Sequence, residues 1–298
     1  MAKKAKNKGF AWVMVAVAMG GSVASPAWAD DLRQKLKEKH PAAASAAPQE
    51  TIKPGLAGSF LSGRFAKQNQ DISEAAKYVN ETLARDPGNE RLQHEAMRLN
   101  LLAGNVVEAT NLAHTLASGP SATDSLVACL LMLEQVKAGD IAGAQATVTA
   151  APEAGLFGLI RPALQQWLKV AAGEVKGPVT MQPTIDKAGF FAPFLAYHSA
   201  LMNDVLGNVP AATAAYAKTT ADIATAPYRV VEAHANFLQR QGNVAGAQAL
   251  FDAYAKANPS SSLIPDKLGA TVPAAMVPDA KAGIAELFFT TASILFGD

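Results

Sequence analysis

The stretch QGNVAGAQALF at residues 241–251 contains a short phrase, a glycine followed by Asn or Asp and then by small residues, that the chain repeats. It returns as AGNVVEATNLA at 103–113, AGDIAGAQATV at 138–148 and LGNVPAATAAY at 206–216. The surrounding sequence is rich in alanine, leucine and glutamine and shows few of the strict alternations that a half-buried strand would need. Each copy is therefore predicted to belong to a helical unit.

The spacing of the phrase defines the length of that unit. Successive Asn or Asp markers stand 34 or 35 residues apart, with a single gap of 68. Half of that gap predicts a degenerate copy at Gly173 and Glu174. Such a period, held over six copies, is typical of a helical repeat array. The markers are Asp71, Asn105, Asp140, Asn208 and Asn243.

The phrase is suited to joining two antiparallel helices. Glycine can adopt the left-handed conformation that ends the first helix, and Asn or Asp can cap the second helix by accepting a backbone N–H. A small residue four places after the marker allows the two helices to pack closely. We predict left-handed turns at Gly104, Gly139, Gly173, Gly207 and Gly242. We predict close helix contacts at Ala75, Ala109, Ala144, Ala212 and Ala247.

Prolines agree with this division of the chain. Pro193 and Pro227 lie just before or at the start of predicted first helices, and Pro162 is predicted to lie in an opening turn. Proline is tolerated there because those N–H groups have no partner within the helix. In the fourth unit, Pro178 and Pro183 are expected to shorten the second helix.

Residues 56–259 resemble the tetratricopeptide-repeat family, whose units are helix hairpins of about 34 residues. The resemblance implies an all-α fold, a tetratricopeptide-like α-solenoid of about six hairpins over residues 54–259 with a lone C-terminal helix after it. It also implies a concave groove, lined by the first helices, that binds extended peptides or partner helices. The family's usual Trp and Tyr in the first helix are absent. The matching residues are Gly63 at the small position, Tyr216 and Phe251 at the aromatic position, and Pro87 and Pro259 near the ends of units.

Several residues at the groove positions that the resemblance implies are basic or polar. Arg91, His94 and Arg98 follow a spacing of three and four, which places them on one helical stripe that could hold a carboxylate or an acidic peptide. The alternative is ordinary solvated charge, with Arg91 paired to Glu95 one turn on. Trp167 is interpreted as packing between units rather than as part of a ligand site. The candidate peptide-binding residues are Arg64, Lys67, Arg91, His94, Arg98, Tyr197, Arg229 and Asn236.

The N-terminal segment is predicted to be a targeting sequence. Residues 1–29 form a signal peptide, with a lysine-rich start, an apolar run and small residues before a cleavage site between Ala29 and Asp30. The alternative is an uncleaved membrane anchor, although glycines and Pro26 weaken the run as a membrane helix. Residues 30–53 are predicted to be a flexible tether rich in Ala and Pro. The mature protein is expected in the periplasm without a stable membrane span.

The pattern changes again after the array. Residues 260–278 are predicted to be a loop, and residues 279–298 an apolar helix that ends on Gly-Asp, the dipeptide that elsewhere introduces a second helix. This helix is half of a shortened repeat, a cap folded back on the array, or a site of self-association.

Composition and motifs limit the function. Without the four lysines of residues 3–8, the body carries 22 basic and 25 acidic residues, a balance that does not favour nucleic-acid binding. No catalytic, metal-binding or cofactor motif is found, and the single cysteine, Cys129, is predicted to be a core residue. The predicted function is therefore an exported scaffold or adaptor that binds proteins or peptides in envelope assembly or maintenance. The alternatives are an enzyme or small-molecule binder with dispersed groove residues, and a structural protein that self-assembles through residues 279–298.

Overall fold

A computed structural model describes residues 55–119, 124–153, 155–261, 268 and 271–296. These residues are helical and contain no strand, so the all-α prediction is confirmed for the part of the chain that is described. The signal peptide 1–29, its cleavage at Ala29 and Asp30 and the tether 30–53 lie outside the described residues. The chain divides into two compact units, residues 1–122 and 123–298.

Residues 55–119 of the first unit form two helix hairpins. In each, the first helix packs along the second, and the second helix of the first hairpin also packs on the first helix of the next. The helices are α1 (Leu56–Gln68), α2 (Ile72–Leu83), α3 (Glu90–Leu102) and α4 (Val106–Ala117).

The described residues of the second unit form three hairpins, a long helix with no second helix of its own, and a last helix that packs against it. The hairpins are α5 (Ser125–Ala138) with α6 (Ile141–Ala150), α9 (Ala192–Val205) with α10 (Val209–Thr219), and α11 (Tyr228–Arg240) with α12 (Val244–Ala257). The remaining helices are α7 (Gly155–Ala171), the short α8 (Gln182–Ile185) and α13 (Ala280–Phe296).

The turns have the predicted geometry. All five glycines of the phrase are left-handed, with φ between 68° and 85°. In the first copy, which lacks the glycine, Gln70 takes the same conformation with φ 60°. The side chains of Asp71, Asp140 and Asn243 accept the backbone N–H three residues on. Asn105 and Asn208 cap no N–H, and they donate to Asn100 and to the Gly177 carbonyl instead. The phrase therefore does form the turn of a helix hairpin.

The small residues after the markers are the tightest points of the hairpins. Ala75, Ala109, Ala144, Ala212 and Ala247 are each 0% exposed, so a larger side chain at any of them would separate the paired helices.

The fourth repeat departs furthest from the pattern. After Gly173 the chain does not form a second helix of repeat length, and only the four residues of α8 and a short 3-10 helix at Gly189–Phe191 are helical before α9 begins. The intervening backbone is satisfied by Asn203 of α9, which accepts the N–H of Val179 and donates to its carbonyl. The shortening expected from the prolines is therefore nearly complete.

Pro162 lies near the middle of α7, so the prediction that it lies in an opening turn was wrong. The helix begins at Gly155, earlier than the repeat spacing indicates. Proline removes the hydrogen bond to the carbonyl four residues before it, here that of Gly158. The apolar residues of α7 offset this loss by their burial, with Leu164, Trp167 and Leu168 each 0% exposed.

The last helix, α13, packs against α7 and α9. The expected helix at 279–298 is thus present over the described residues, and it folds back onto the second unit. Within the described residues, every helix is too short or too polar to cross a bilayer.

Candidate functional site

In the first unit, the predicted residues lie on two neighbouring first helices. Arg64 and Lys67 are exposed on α1, and Arg91 and Arg98 are exposed on α3 with half-buried His94 between them. A salt bridge of 2.5 Å between Lys67 Nζ and a Glu95 oxygen links the two helices. Glu95 of α3 therefore pairs with Lys67 of the neighbouring helix α1. We call the surface formed by these residues the basic face.

The basic face carries more positive than negative charge. Arg64 lies over the Phe60 ring at 6.0 Å, which holds its guanidinium near the surface of α1. A guanidinium can donate two parallel hydrogen bonds to one carboxylate, so exposed arginines on one stripe are suited to acidic segments.

In the second unit, two predicted residues bind a carboxylate of the same chain. Arg229 on α11 donates from Nε and Nη2 to the two oxygens of Glu286 on α13, at 2.7 and 2.6 Å. The Tyr197 hydroxyl on α9 donates to the first of these oxygens at 3.1 Å. The Glu286 side chain is only 5% exposed. We call Arg229 and Tyr197 the carboxylate clamp.

Burial and the charge of Glu286 together keep both clamp side chains, Tyr197 and Arg229, protonated. Burial, followed by the negative charge of Glu286, raises the pKa of Tyr197 well above its ordinary value, so its hydroxyl remains a donor. Burial opposes the charge on Arg229, but hydrogen bonds and charge from Glu286 outweigh that effect and raise its pKa. The Arg229 guanidinium also lies 4.7 Å from the centre of the Phe289 ring. The clamp therefore presents three fixed donors to one carboxylate.

A second polar contact runs from α7 through α9 to α13. Trp167 Nε1 donates to His198 Nδ1 at 3.2 Å, and His198 Nε2 lies 3.0 Å from Thr290 Oγ1. Because an indole can only donate, Nδ1 must accept, and the ring proton lies on Nε2 and is donated to Thr290. Burial lowers the pKa of His198 to about 3, so the ring is neutral.

Apolar residues of α13 complete the contact. Ile284 and Leu287 are 0% exposed, and Gly283 lies against the indole of Trp167. A Cβ at position 283 would come within 2.4 Å of the ring. Trp167 is thus a packing residue, as interpreted from sequence, but its neighbour is α13. We call the surface of Trp167, Tyr197, His198 and Arg229 the α13-binding face.

The remaining predicted residues have simpler surroundings. Asn236 is half-buried on α11, on the same helical stripe as Arg229. Cys129 is partly buried, and burial raises the pKa of its thiol to about 12, which makes it a poor nucleophile.

Sequence reasoning missed the residues of α13 that meet the clamp. Glu286, Gly283 and Thr290 lie in a helix that the sequence identified only by its apolar residues. The signal available was Glu286, a glutamate inside an otherwise apolar run. Burying its charge has a high cost unless the carboxylate is paired.

A second buried carboxylate joins α9 and α11. Asp204 lies 2.5 Å from Arg240 Nη2 and accepts from the Tyr216 hydroxyl at 3.3 Å. Within the second unit this trio ties α9 to α11 and to α10, which carries Tyr216.

Other kinds of site were considered among the described residues. These residues contain no group of three or more His, Cys, Asp or Glu side chains that could hold a metal ion. A cleft of about 550 Å³ lies between α1 and α2, with Leu61, Phe65 and Tyr78 on its apolar side and Asp71 and Glu74 on its acidic edge.

No protein-family model matches this chain, and no curated protein or solved structure matches it either.

Proposed function

We propose that this chain is an exported tetratricopeptide-like adaptor that binds helices or extended segments of partner proteins on the faces formed by its first helices. The observation that carries the proposal is the carboxylate clamp, in which Arg229 and Tyr197 on two first helices hold Glu286 of a third helix. The segment 1–29 supports export to the periplasm, where the adaptor would act in envelope assembly or maintenance.

The clamp is an example, within the chain, of how such a face binds a helix. Bidentate pairing of a guanidinium with a carboxylate fixes the register and orientation of the bound helix as well as contributing energy. Apolar contacts at Gly283 and Leu287 accompany the pair, which stays partly open to water because the Arg229 side chain is 31% exposed. Recognition of a helix by a groove uses the same combination of apolar anchors and a few directed polar contacts.

The basic face of the first unit offers similar chemistry to a partner. Arg91 and Arg98 are exposed and lie on one stripe of α3, and Arg64 lies on α1. We therefore expect the partner segment to be acidic. Single exposed ion pairs contribute little, so binding needs several contacts at once and weakens as salt increases.

Site-specific photocrosslinking tests the proposal in the periplasm of the producing cell. A photoreactive amino acid in place of Leu102, one turn after Arg98 on α3, should give a crosslinked product with a discrete partner. Arg98→Glu should reduce this product about tenfold, since it replaces an attraction by a repulsion.

The matched control is Lys77→Glu, which reverses one exposed charge on α2 of the same unit. It should leave the crosslinked product unchanged. Equal yields from the Arg98→Glu and Lys77→Glu variants would contradict a role for the basic face.

A second candidate function is self-association through the end of α13. Ile294 and Leu295 are 42% and 59% exposed, and exposed apolar side chains that form a patch can mark an interaction site. Light scattering of the Ile294→Lys/Leu295→Lys variant tests this, because an oligomer held by these residues should dissociate. An unchanged particle size in the variant would eliminate self-association at this site.

A further inference from the structure

The contact between α13 and the rest of the second unit has the properties of a bound ligand. It combines one buried ion pair, one glycine placed on an aromatic ring and two buried apolar side chains, all on a single helix. Residues 258–279 connect α12 to α13, and a chain of that length can span roughly 70 Å when extended. Leu268 in this segment packs against α11 and α12, and Val277 before α13 is 3% exposed, so α13 leaves its face only when Val277 leaves its packing too.

The ion pair favours specificity over stability. Burying Arg229 and Glu286 requires both to lose water, and their attraction does little more than offset that cost. Two apolar residues of similar volume would hold a permanent helix as well or better. The pair does, however, select a helix with a carboxylate at one position, and both groups regain water when the helix leaves.

We propose that the α13-binding face is a receptor for partner helices and that α13 is its resident internal ligand, which competes with them. This inference rests on the proposed function and names the ligand class for the second unit. A suitable helix carries a small residue and, three positions later, a glutamate, as Gly283 and Glu286 do. An apolar residue follows each of these two positions, as Ile284 and Leu287 do.

Competition sets the affinity that a partner needs. A helix tethered by a linker of this length has an effective concentration in the millimolar range at its own site. A free helix with the same contacts therefore binds weakly to the native chain. Its apparent affinity rises when the contacts of α13 alone are weakened.

The test uses the full chain with Trp12→Phe and Trp28→Phe, so that Trp167 is the only tryptophan. The ligand is a fluorescein-labelled peptide with the sequence of residues 279–296. Glu286→Arg places a positive charge of α13 against Arg229 but leaves the receptor face intact. We expect this variant to show red-shifted Trp167 emission. It should also bind the peptide at least about tenfold more tightly than the chain that keeps Glu286.

Two further measurements complete the test. The double variant Arg229→Glu/Glu286→Arg restores an ion pair of opposite polarity, so it should recover the native emission and lose peptide binding. If Glu286→Arg loses its helical circular dichroism, Gly283→Ala takes its place, because that variant displaces α13 from Trp167 and changes no charge. Tighter peptide binding to either weakened chain than to the native chain supports the proposal.

Three results would overturn it: weakened chains with native Trp167 emission, equal peptide affinity in native and weakened chains, or no peptide binding to any folded variant. Each would make α13 a fixed part of the fold. The photocrosslinking at Leu102 concerns the basic face of the first unit. A crosslinked product at Leu102 together with no peptide binding to the second unit would contradict the inference about α13 and leave the proposed adaptor function standing.

Discussion

Gly283 on α13 lies so close to Trp167 on α7 that a single methyl group at position 283 would come within 2.4 Å of the indole ring. Trp167 is 0% exposed and its Nε1 donates a hydrogen bond to His198, so the ring has little freedom to move away. Glycine is otherwise unfavourable inside a helix by about 1 kcal/mol relative to alanine. Its presence in α13 is therefore explained by this contact and not by the local preference of the helix.

Gly283→Ala is expected to lower the free energy of unfolding of the second unit by about 1–3 kcal/mol, the usual cost of overpacking a close contact. The gain in helix propensity works in the opposite direction, so any loss is due to the contact with Trp167. Urea denaturation followed by Trp167 fluorescence measures the change. Lys281→Ala, at an exposed position of the same helix, should change the free energy by less than about 0.5 kcal/mol.

The ion pair between Arg229 and Glu286 gives a second prediction. Glu286→Leu alone leaves a partly buried guanidinium without its carboxylate and should cost about 2 kcal/mol, reduced from the value for a fully buried pair because Arg229 is 31% exposed. The double variant Arg229→Leu/Glu286→Leu should lie within about 1 kcal/mol of the native chain.

A double-mutant cycle of Arg229 and Glu286 in chemical denaturation measures the coupling between them. Simple addition of the two single losses in the double variant would show that the two side chains act independently and that the clamp is not a pair.

The hairpins were predictable because their turns are local. A left-handed glycine, a capping Asn or Asp and a small residue four places on all lie within seven residues, so the sequence alone predicts the turn at Asn243 and the close contact at Ala247. The same local logic failed at Pro162, because α7 begins at Gly155 and its start is not marked by the repeat phrase.

The α13-binding face was not predictable for a different reason. Arg229 and Tyr197 were identified from their positions in the repeat, but Glu286 is 57 residues from Arg229 and lies outside the array predicted over residues 54–259. Sequence spacing carries no information about which distant helix returns to a face. Only the folded chain brings this carboxylate to its donors.

Buried neutral histidines predict a loss of stability in acid. Burial lowers the pKa of His198 to about 3 and that of His234 to about 4, against an ordinary value of 6.5. Below pH 6.5 the unfolded chain binds protons that the folded chain does not, so the free energy of unfolding falls as the pH falls towards about 3. Each such histidine contributes up to about 1.4 kcal/mol per pH unit.

Thermal unfolding from pH 7 to pH 4 measures this dependence. His198→Gln should reduce its slope, since one proton-binding group is removed, whatever the variant costs at pH 7. Thr115→Gln, at an exposed position on α4, changes no titratable group and should leave the slope of the native chain unchanged. A slope that is the same in all three chains would assign the acid sensitivity to other groups.

The turn between α3 and α4 allows the cost of a left-handed residue to be measured without any steric contribution. Gly104 has φ 83°, and a Cβ added to it would meet no atom within 4 Å. Gly104→Ala should therefore lower the free energy of unfolding of the first unit by about 1 kcal/mol through backbone strain alone. Gly88→Ala is the matched control, because its added Cβ is equally unobstructed and its φ lies outside the left-handed region. This control should be neutral or slightly stabilising in the same urea titration, since alanine restricts the unfolded chain. Equal effects of the two substitutions would mean that left-handed geometry does not select glycine in these turns, and the left-handed Gln70 of the first copy would then need no special explanation.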